Sequence, residues 1–444
     1  MTAARSSPPW PAPGAAPSSA LLTDRYELTM LQAALRSGAG QRRCVFEVFT
    51  RRLPEGRRYG VVAGTGRLLE QLGRFRFDDA EIAWLEREGA LDADTLRWLA
   101  GYRFRGSVWG YGEGEAFFPG SPVLVVEGTF AEAVLLETLA LSVLNHDCAV
   151  AAAASRMSCA GSGRRLLEMG SRRTEEEAAV AAARAAYVAG FDATSNLEAG
   201  RRYGVPTAGT SAHAFTLLHD DERAAFAAQV AALGPGTTLL VDTYDVEAGV
   251  RTAVEVAGPS LGAVRIDSGD LLAQAVEVRE LLDSLGATGT RIVCSGDLDE
   301  HGIAALASSP VDAYGVGTSL VTGSGAPTAE LVYKLVARED ASGELVGVAK
   351  RSVGKPTHQG RKWARRQRDE RGTAVAEVVS RSPRDGAGSR ELLVPLVLDG
   401  EPVGREPLSA ARERHLRSRA ELPRTALQLS RGEPAIPTTY EEGA

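Results

Sequence analysis

The sequence predicts an α/β fold, a parallel sheet closed as a barrel beside a second domain. Between residues 163 and 322, short β-branched runs alternate with amphipathic helices, a pattern that builds a parallel sheet with crossover helices. Almost every run ends in small polar or ionic residues, as in Glu168-Met169-Gly170-Ser171-Arg172, Arg265-Ile266-Asp267-Ser268 and Cys294-Ser295-Gly296-Asp297. Strand ends of a barrel share one face, where chemistry is built, so these residues are expected to converge.

In chain order, residues 1–20 are rich in Pro, Ala and Ser and lack a basic start followed by an apolar core. They read as a disordered tail rather than a signal peptide. Residues 22–37 carry the pattern of an amphipathic helix, and Val45 to Phe49 that of a strand. Residues 104–130 resemble a hairpin whose strongest strand is Val123 to Gly128, and 131–160 read as helical. Within the alternating region, Thr174-Glu175-Glu176-Glu177 has capping-box spacing before an Ala-rich helix that stops near Gly190. Leu271 to Leu282 places apolar residues on one helical face, and Asp299 to Ala307 is a short crossover. After Val321 the alternation fails, and Glu330 to Ala349 reads as antiparallel strands. The 444 residues suit two domains: 21–135 completed by 345–444, and a barrel domain over 136–344.

Composition narrows the class. A formal charge of −7 argues against nucleic acid as a general partner, and no apolar run is long enough to span a bilayer. Four cysteines without paired metal-ligand spacing point to a reduced, cytoplasmic compartment and give no zinc site.

Each strand end admits a chemical and a structural reading. Arg265 can fork onto phosphate, Asp267 can accept from sugar hydroxyls, and Gly269 admits a ligand to free helix amides. Alternatively, Ser268 caps that helix and Asp270 complements its dipole. Ser295-Gly296-Asp297 and Gly317-Thr318 leave room for phosphate oxygens, although such pairs also make ordinary turns. His213 follows the small-residue segment Gly209 to Ala212 and suits a proton carrier, a nucleophile toward phosphate, or a plain helix-start histidine. Arg172 and Arg173 would hold a carboxylate or pair with Glu175 to Glu177. Lys350, Ser352 and Lys355 belong to a basic, Gly-containing cluster that would steer polyphosphate or simply be solvated.

Taken together, Thr23-Asp24-Arg25-Tyr26, Glu168 to Arg173, Gly209 to His213, Arg265 to Asp270, Cys294 to Asp297 and Gly315 to Thr318 resemble the nicotinate phosphoribosyltransferase family, over roughly residues 22–366. The resemblance implies the type II phosphoribosyltransferase fold, an irregular (β/α) barrel with a discontinuous α/β-sandwich domain. It also implies a homodimer with shared active sites. The implied reaction joins nicotinate to 5-phosphoribosyl-1-diphosphate, with ATP as co-substrate and Mg²⁺ assisting. By the same resemblance His213 is transiently phosphorylated, with Arg265 and Asp267 beside it in the catalytic set. Tyr26, Met169, Arg172, Ser195 and Asp24 bind the base. Ser268, Gly269, Asp270, Ser295, Gly296, Asp297, Gly317, Thr318, Lys350 and Ser352 bind ribose and phosphates. The metal ligands are not assigned.

Two positions bear on specificity. Related enzymes often carry an aromatic residue where Met169 stands; a thioether still packs on a ring. Nicotinamide phosphoribosyltransferases place an aspartate near Ser195, and a serine donates to a carboxylate where aspartate would repel it. Ser195 therefore favours the acid over the amide. Quinolinate phosphoribosyltransferase shares the fold but calls for a larger basic cluster. A catalytically silent phosphate-binding barrel would lack one of His213, Arg265 and Asp267, all present.

Overall fold

The computed structural model describes residues 17–350, 358–383 and 388–441. The chain divides into two compact units, Val150–Pro327 and Met1–Ala149 with Thr328–Ala444.

In the first unit the alternating region forms six strands: β1 (Arg165–Glu168), β2 (Ala193–Thr194), β3 (Thr238–Leu240), β4 (Ala263–Ile266), β5 (Arg291–Cys294) and β6 (Ala313–Val316). They lie in the order β2-β1-β6-β5-β4-β3, and every pairing is parallel. The helices among them are α1 (Glu176–Val188), α2 (Leu197–Tyr203), α3 (His213–Leu217), α4 (Glu222–Leu233), α5 (Val246–Ala257), α6 (Leu271–Ser284), α7 (Glu300–Ala305) and α8 (Thr318–Val321). Strands β4 and β6 are buried at every residue, as expected of a parallel sheet covered on both faces. Helix α1 buries Ala179, Ala182, Ala183 and Ala186, whose small side chains allow close packing. Its cap is Glu175, which accepts from the Glu177 and Ala178 amides, and not Thr174 as the spacing suggested.

The barrel is curled but not closed. Residues 206–208 join β2 through the single bridge Thr194–Thr207, and among the described residues no ladder joins them to β3. Pro206 has no amide hydrogen to donate there. The sheet is therefore a half-barrel, open between residues 206–208 and β3.

The second unit is built on a seven-stranded antiparallel sheet in the order 345–347, 331–339, 43–50, 124–129, 107–111, 393–398, 401–402. Leu331–Glu339, which the sequence reading grouped with the barrel, pairs along Arg43–Thr50 and so belongs to this unit. Leu393–Leu398 pairs with Ser107–Tyr111, bringing the C-terminal chain back to the N-terminal sheet. Phe46 stacks on Tyr333 at 4.9 Å between ring centres in its core. The tail expected over 1–20 is shorter at its C-terminal end: Ser19 and Ala20 are buried, and Ser18 and Ser19 donate to the Arg76 and Gln71 carbonyls at 2.6 and 2.7 Å. No helix among the described residues is long and apolar enough to cross a membrane.

Two ion pairs of this unit are buried. Lys362 meets Glu47 at 2.8 Å, and Arg366 meets Glu377 at 2.7 Å, with all four side chains almost fully buried. Removing one partner strands the other in a low-dielectric core. Arg366→Ala is expected to lower stability by about 3–5 kcal/mol in urea denaturation; a loss under about 1 kcal/mol would show that water reaches the pair.

Candidate active site

The polar strand ends of the half-barrel surround one cavity of about 480 Å³, lined by Met169, Arg172, Ser195, Arg265, Asp267 and Ser295 with the glycines and hydroxyls between them. The end of β1 is set by Glu168, which is buried and accepts from the Gly170 amide and the Thr194 hydroxyl. Burial raises its carboxyl above the usual carboxylate range. The chain then makes a short 3₁₀ turn, Ser171–Arg173, that presents two exposed arginines. Two of the three acids expected to neutralise them are engaged elsewhere: Glu175 caps α1 and Glu177 pairs with Arg202 at 2.7 Å. Among the described residues neither Arg172 nor Arg173 has an ion-pair partner, which leaves both guanidinium groups for an anion.

At the end of β4, Arg265 is tied on three nitrogens. Nε donates to Ser295 Oγ at 2.8 Å, Nη1 to Thr210 Oγ1 at 3.0 Å and the Ser211 carbonyl at 3.4 Å, and Nη2 meets Asp267 Oδ1 at 3.1 Å. Ser295 in turn donates to Asp267. These contacts use most of the donors of a guanidinium, so Arg265 is first an organiser of the cavity wall and only secondarily a phosphate fork. They also reach the 210–211 segment across the opening of the half-barrel.

Two glycines admit this packing. A Cβ at Gly296, where φ is +111°, would stand 2.4 Å from the Asp267 carbonyl oxygen. A Cβ at Gly315 would stand 2.8 Å from Met169 Sδ, so the missing side chain is what lets the thioether line the cavity. Gly317 and Thr318 line it at the start of α8.

His213 opens α3 directly after the lining residue Ala212, with its side chain 41% exposed. Its Nδ1 lies 3.1 Å from Thr243 Oγ1, and its Nε2 lies 4.0 Å from Asp242 Oδ1. The Asp242 side chain is 1% exposed; its Oδ2 accepts from the Asp267 amide at 2.9 Å and from Ser268 Oγ at 2.7 Å. Asp242 thus links the histidine to the end of β4. Sequence reasoning gave Asp242, Thr243 and Thr210 no role, although Asp242-Thr243 ends its strand run in the same ionic and hydroxyl pattern.

Several expected residues stand elsewhere. Asp270 is the cap of α6, accepting from the Leu272 and Ala273 amides, so the structural alternative holds there. Ser268 bonds Asp242, and Gly269, at φ +81°, makes the turn between them. None of the three lines the cavity. Asp297 does, exposed and at φ +47°. Asp24, Tyr26 and Lys350 belong to the other unit, all exposed. Burial, with Glu137, Glu27 and Asp24 nearby, pushes the Tyr26 hydroxyl up to about 12, so it is neutral and a donor at ordinary pH. Ser352 lies outside the described residues.

A curled parallel half-barrel with its cavity at the strand ends, in a chain that also folds a discontinuous antiparallel unit, defines a type II phosphoribosyltransferase. Comparison with known proteins narrows the class. Residues 21–145 match the nicotinate phosphoribosyltransferase (NAPRTase) N-terminal domain. The chain is 60% identical over 429 residues to nicotinate phosphoribosyltransferase pncB1 of Mycobacterium tuberculosis, covering 94% of both chains. It is 38% identical to the Bacillus subtilis nicotinate phosphoribosyltransferase, covering 78% of this chain and 72% of that one. The crystal structure of human nicotinic acid phosphoribosyltransferase superposes with a TM-score of 0.80 at 27% identity, over 95% of this chain and 98% of that one. The chain belongs to the nicotinate phosphoribosyltransferase family.

Gly296→Ala is expected to push Asp267 and Ser295 apart and lower stability by about 1–3 kcal/mol, together with a loss of ligand binding in the cavity. Thermal melts and binding isotherms check it; a variant with unchanged binding would show that the β4 and β5 ends need not touch.

Proposed function

We propose that the protein forms nicotinate mononucleotide and diphosphate from nicotinate and 5-phosphoribosyl-1-diphosphate, in the salvage of pyridine nucleotides, with ATP consumed through transient phosphorylation of His213. The observation that carries the reading is the cavity itself: Asp267 and Ser295, organised by Arg265, line one space of nucleotide size together with Arg172 and Arg173, which have no ion-pair partner among the described residues. The names of the relatives support the choice of nicotinate as base.

Displacement at the anomeric carbon passes through a cationic, oxocarbenium-like state. The protein must align the ring nitrogen and stabilise the departing diphosphate. In this reading Asp267 holds the ribose hydroxyls and offsets the developing positive charge. The hydroxyls and amides of Ser295, Gly296, Gly317 and Thr318 cradle the 5-phosphate. Met169 packs on one face of the pyridine ring, and Arg172 meets the nicotinate carboxylate. The Ser195 hydroxyl, with no partner among the described residues, donates to the same carboxylate and would tolerate the acid better than the amide.

The ATP step falls to His213. The buried Asp242 carboxylate beside Nε2 favours the tautomer with hydrogen on that nitrogen. The lone pair is then on Nδ1, 3.1 Å from the Thr243 hydroxyl, and is free to react once that hydroxyl turns its hydrogen away. Asp242 takes the Nε2 proton as the ring is phosphorylated. Attack of that nitrogen on the terminal phosphorus of ATP forms an N–P bond and releases ADP; hydrolysis of the phosphohistidine returns the free ring. Coupling this cycle to transfer draws the equilibrium toward the nucleotide.

Mg²⁺ belongs to the proposal as an ion carried by the diphosphate. Among the described residues no group of three or more His, Cys, Asp and Glu side chains is arranged to hold a metal. Mg²⁺ commonly binds through substrate phosphates, waters and one or two carboxylates. Asp297, exposed at the cavity wall, is the carboxylate that would meet it. The ion would neutralise charge on the departing diphosphate.

A homodimer with shared sites is also proposed. Leu197, Leu217, Leu218 and Tyr244 are exposed beside the strand ends, with Leu218 78% and Tyr244 62% accessible, an apolar rim that a second copy would cover. Tyr26 of the partner subunit would then supply the other face of the pyridine sandwich, its neutral hydroxyl donating. A cytoplasmic setting is supported by four cysteines that form no disulfide.

Nucleotide formation from phosphoribosyl diphosphate and Mg²⁺, with nicotinate or nicotinamide and with or without ATP, tests the reading. Nicotinate is expected to be used in preference, with stimulation by ATP. His213→Ala is expected to abolish ATP hydrolysis and stimulation while the fold persists, and Ser195→Asp to lower kcat/KM for nicotinate by about 10²-fold. Preference for nicotinamide would overturn the role of Ser195. ATP hydrolysis by His213→Ala at the normal rate would overturn the phosphohistidine.

A further inference from the structure

Ser171 lines the cavity with Met169 and Arg172, and the proposed reaction gives it no part. The neighbouring strand decides which way its hydroxyl acts. Strands β1 and β2 pair with Glu168 opposite Thr194, and the Ser195 amide donates to the Glu168 carbonyl at 2.8 Å. The two chains therefore leave the sheet side by side, one toward Ser171 and the other toward Ser195 and Asn196.

Asn196 stands at the head of α2, and its other polar groups are committed. Its side-chain oxygen accepts from the Ala199 amide at 2.9 Å, which caps that helix. Its backbone amide donates to the Thr194 hydroxyl at 2.9 Å, and that hydroxyl donates in turn to the buried Glu168 carboxyl. The side-chain nitrogen Nδ2 lies 3.0 Å from Ser171 Oγ. The cap fixes which atom is which: a helix amide calls for the oxygen, so the nitrogen must face the serine.

Ser171 Oγ is thus an acceptor from Asn196, and among the described residues no acceptor meets its own hydrogen. A hydroxyl carries one hydrogen, which cannot point back at a donor, so it is left for the cavity. The turn that carries the serine is held as well. The Gly170 amide donates to the Glu168 carboxyl, and the Arg173 amide to the Gly170 carbonyl at 2.8 Å. A Cβ at Gly170 would stand 2.3 Å from Val321 Cγ1 and 3.1 Å from the Gly317 carbonyl oxygen, so the turn packs directly on its neighbours.

We propose that Ser171 is a further specificity-determining residue: its hydroxyl, turned outward by Asn196, donates a hydrogen bond to the nicotinate carboxylate. This rests on nicotinate being the base, with Arg172 and Ser195 at the same group. A carboxylate oxygen offers only lone pairs and accepts. The amide nitrogen of nicotinamide in that place would bring hydrogens against the hydrogen of the serine. Asn196 meets no substrate in this scheme and is a positioning residue.

Steady-state kinetics test it. Ser171→Ala is expected to raise KM for nicotinate about ten-fold, the worth of a hydrogen bond to a charged acceptor, with kcat and KM for phosphoribosyl diphosphate within about two-fold. Affinity for nicotinamide, read as inhibition of nicotinate turnover, is expected to change less than about two-fold, so the preference for the acid narrows. An equal loss for both bases would mean that the serine only shapes the cavity, and overturns the proposal.

Asn196→Ser keeps a capping oxygen for α2 and removes the donor to Ser171. It is expected to raise KM for nicotinate about three-fold alone and to add nothing in Ser171→Ala. The same rise with and without the Ser171 hydroxyl overturns the positioning role. A parent protein that forms no nucleotide from nicotinate overturns the choice of base and this proposal together. Nicotinate turnover with an unchanged KM in Ser171→Ala overturns the proposal alone.

Discussion

The half-barrel depends on Arg265. Its guanidinium spans Ser295 and Asp267 on one side and Thr210 and Ser211 on the other, crossing the place where the parallel sheet has no ladder. Backbone pairing that would have closed the barrel is replaced by side-chain hydrogen bonds to a charged group. Such bonds are stronger than neutral ones when sheltered, and this side chain is 11% exposed. The opening is what gives the cavity its width, and the arginine is what keeps the opening from being a defect.

Around that constraint the site is layered. Asp267 is held by Arg265 and Ser295, and its amide donates to Asp242. Asp242 faces His213 Nε2 at 4.0 Å. A disturbance at Asp267 therefore reaches the histidine through two carboxylates and one amide. This gives the proposed ATP cycle a physical route of coupling, made of polar contacts of 2.9 to 4.0 Å rather than of a large motion.

Much of this was legible in the chain. Alternating β-branched runs and amphipathic helices gave the parallel strands, and the ionic strand ends gave the cavity, because the two periodicities and the shared face are consequences of local geometry. What escaped were features set by tertiary partners. Asp270 looked like a ligand group and is a cap, since an aspartate before a helix serves either purpose. Arg265 looked free and is largely committed, since its partners come from segments 30 and 55 residues away. The open barrel could not be foreseen from the run at 206–212, whose composition suits a strand but whose proline lacks the donor. Ser18 and Ser19 resembled the tail before them, yet their hydroxyl bonds to the Arg76 and Gln71 carbonyls order them.

The central claim is that Asp267, set by Arg265, is where the ribose of phosphoribosyl diphosphate binds. Calorimetric titration of that compound with Mg²⁺ into the parent protein and Asp267→Asn tests it most directly. The account predicts a loss of affinity of about a hundred-fold in the variant, the worth of charged hydrogen bonds to sugar hydroxyls, with a fold still intact by circular dichroism. Equal affinity in the two proteins would place the ribose elsewhere and contradict the account.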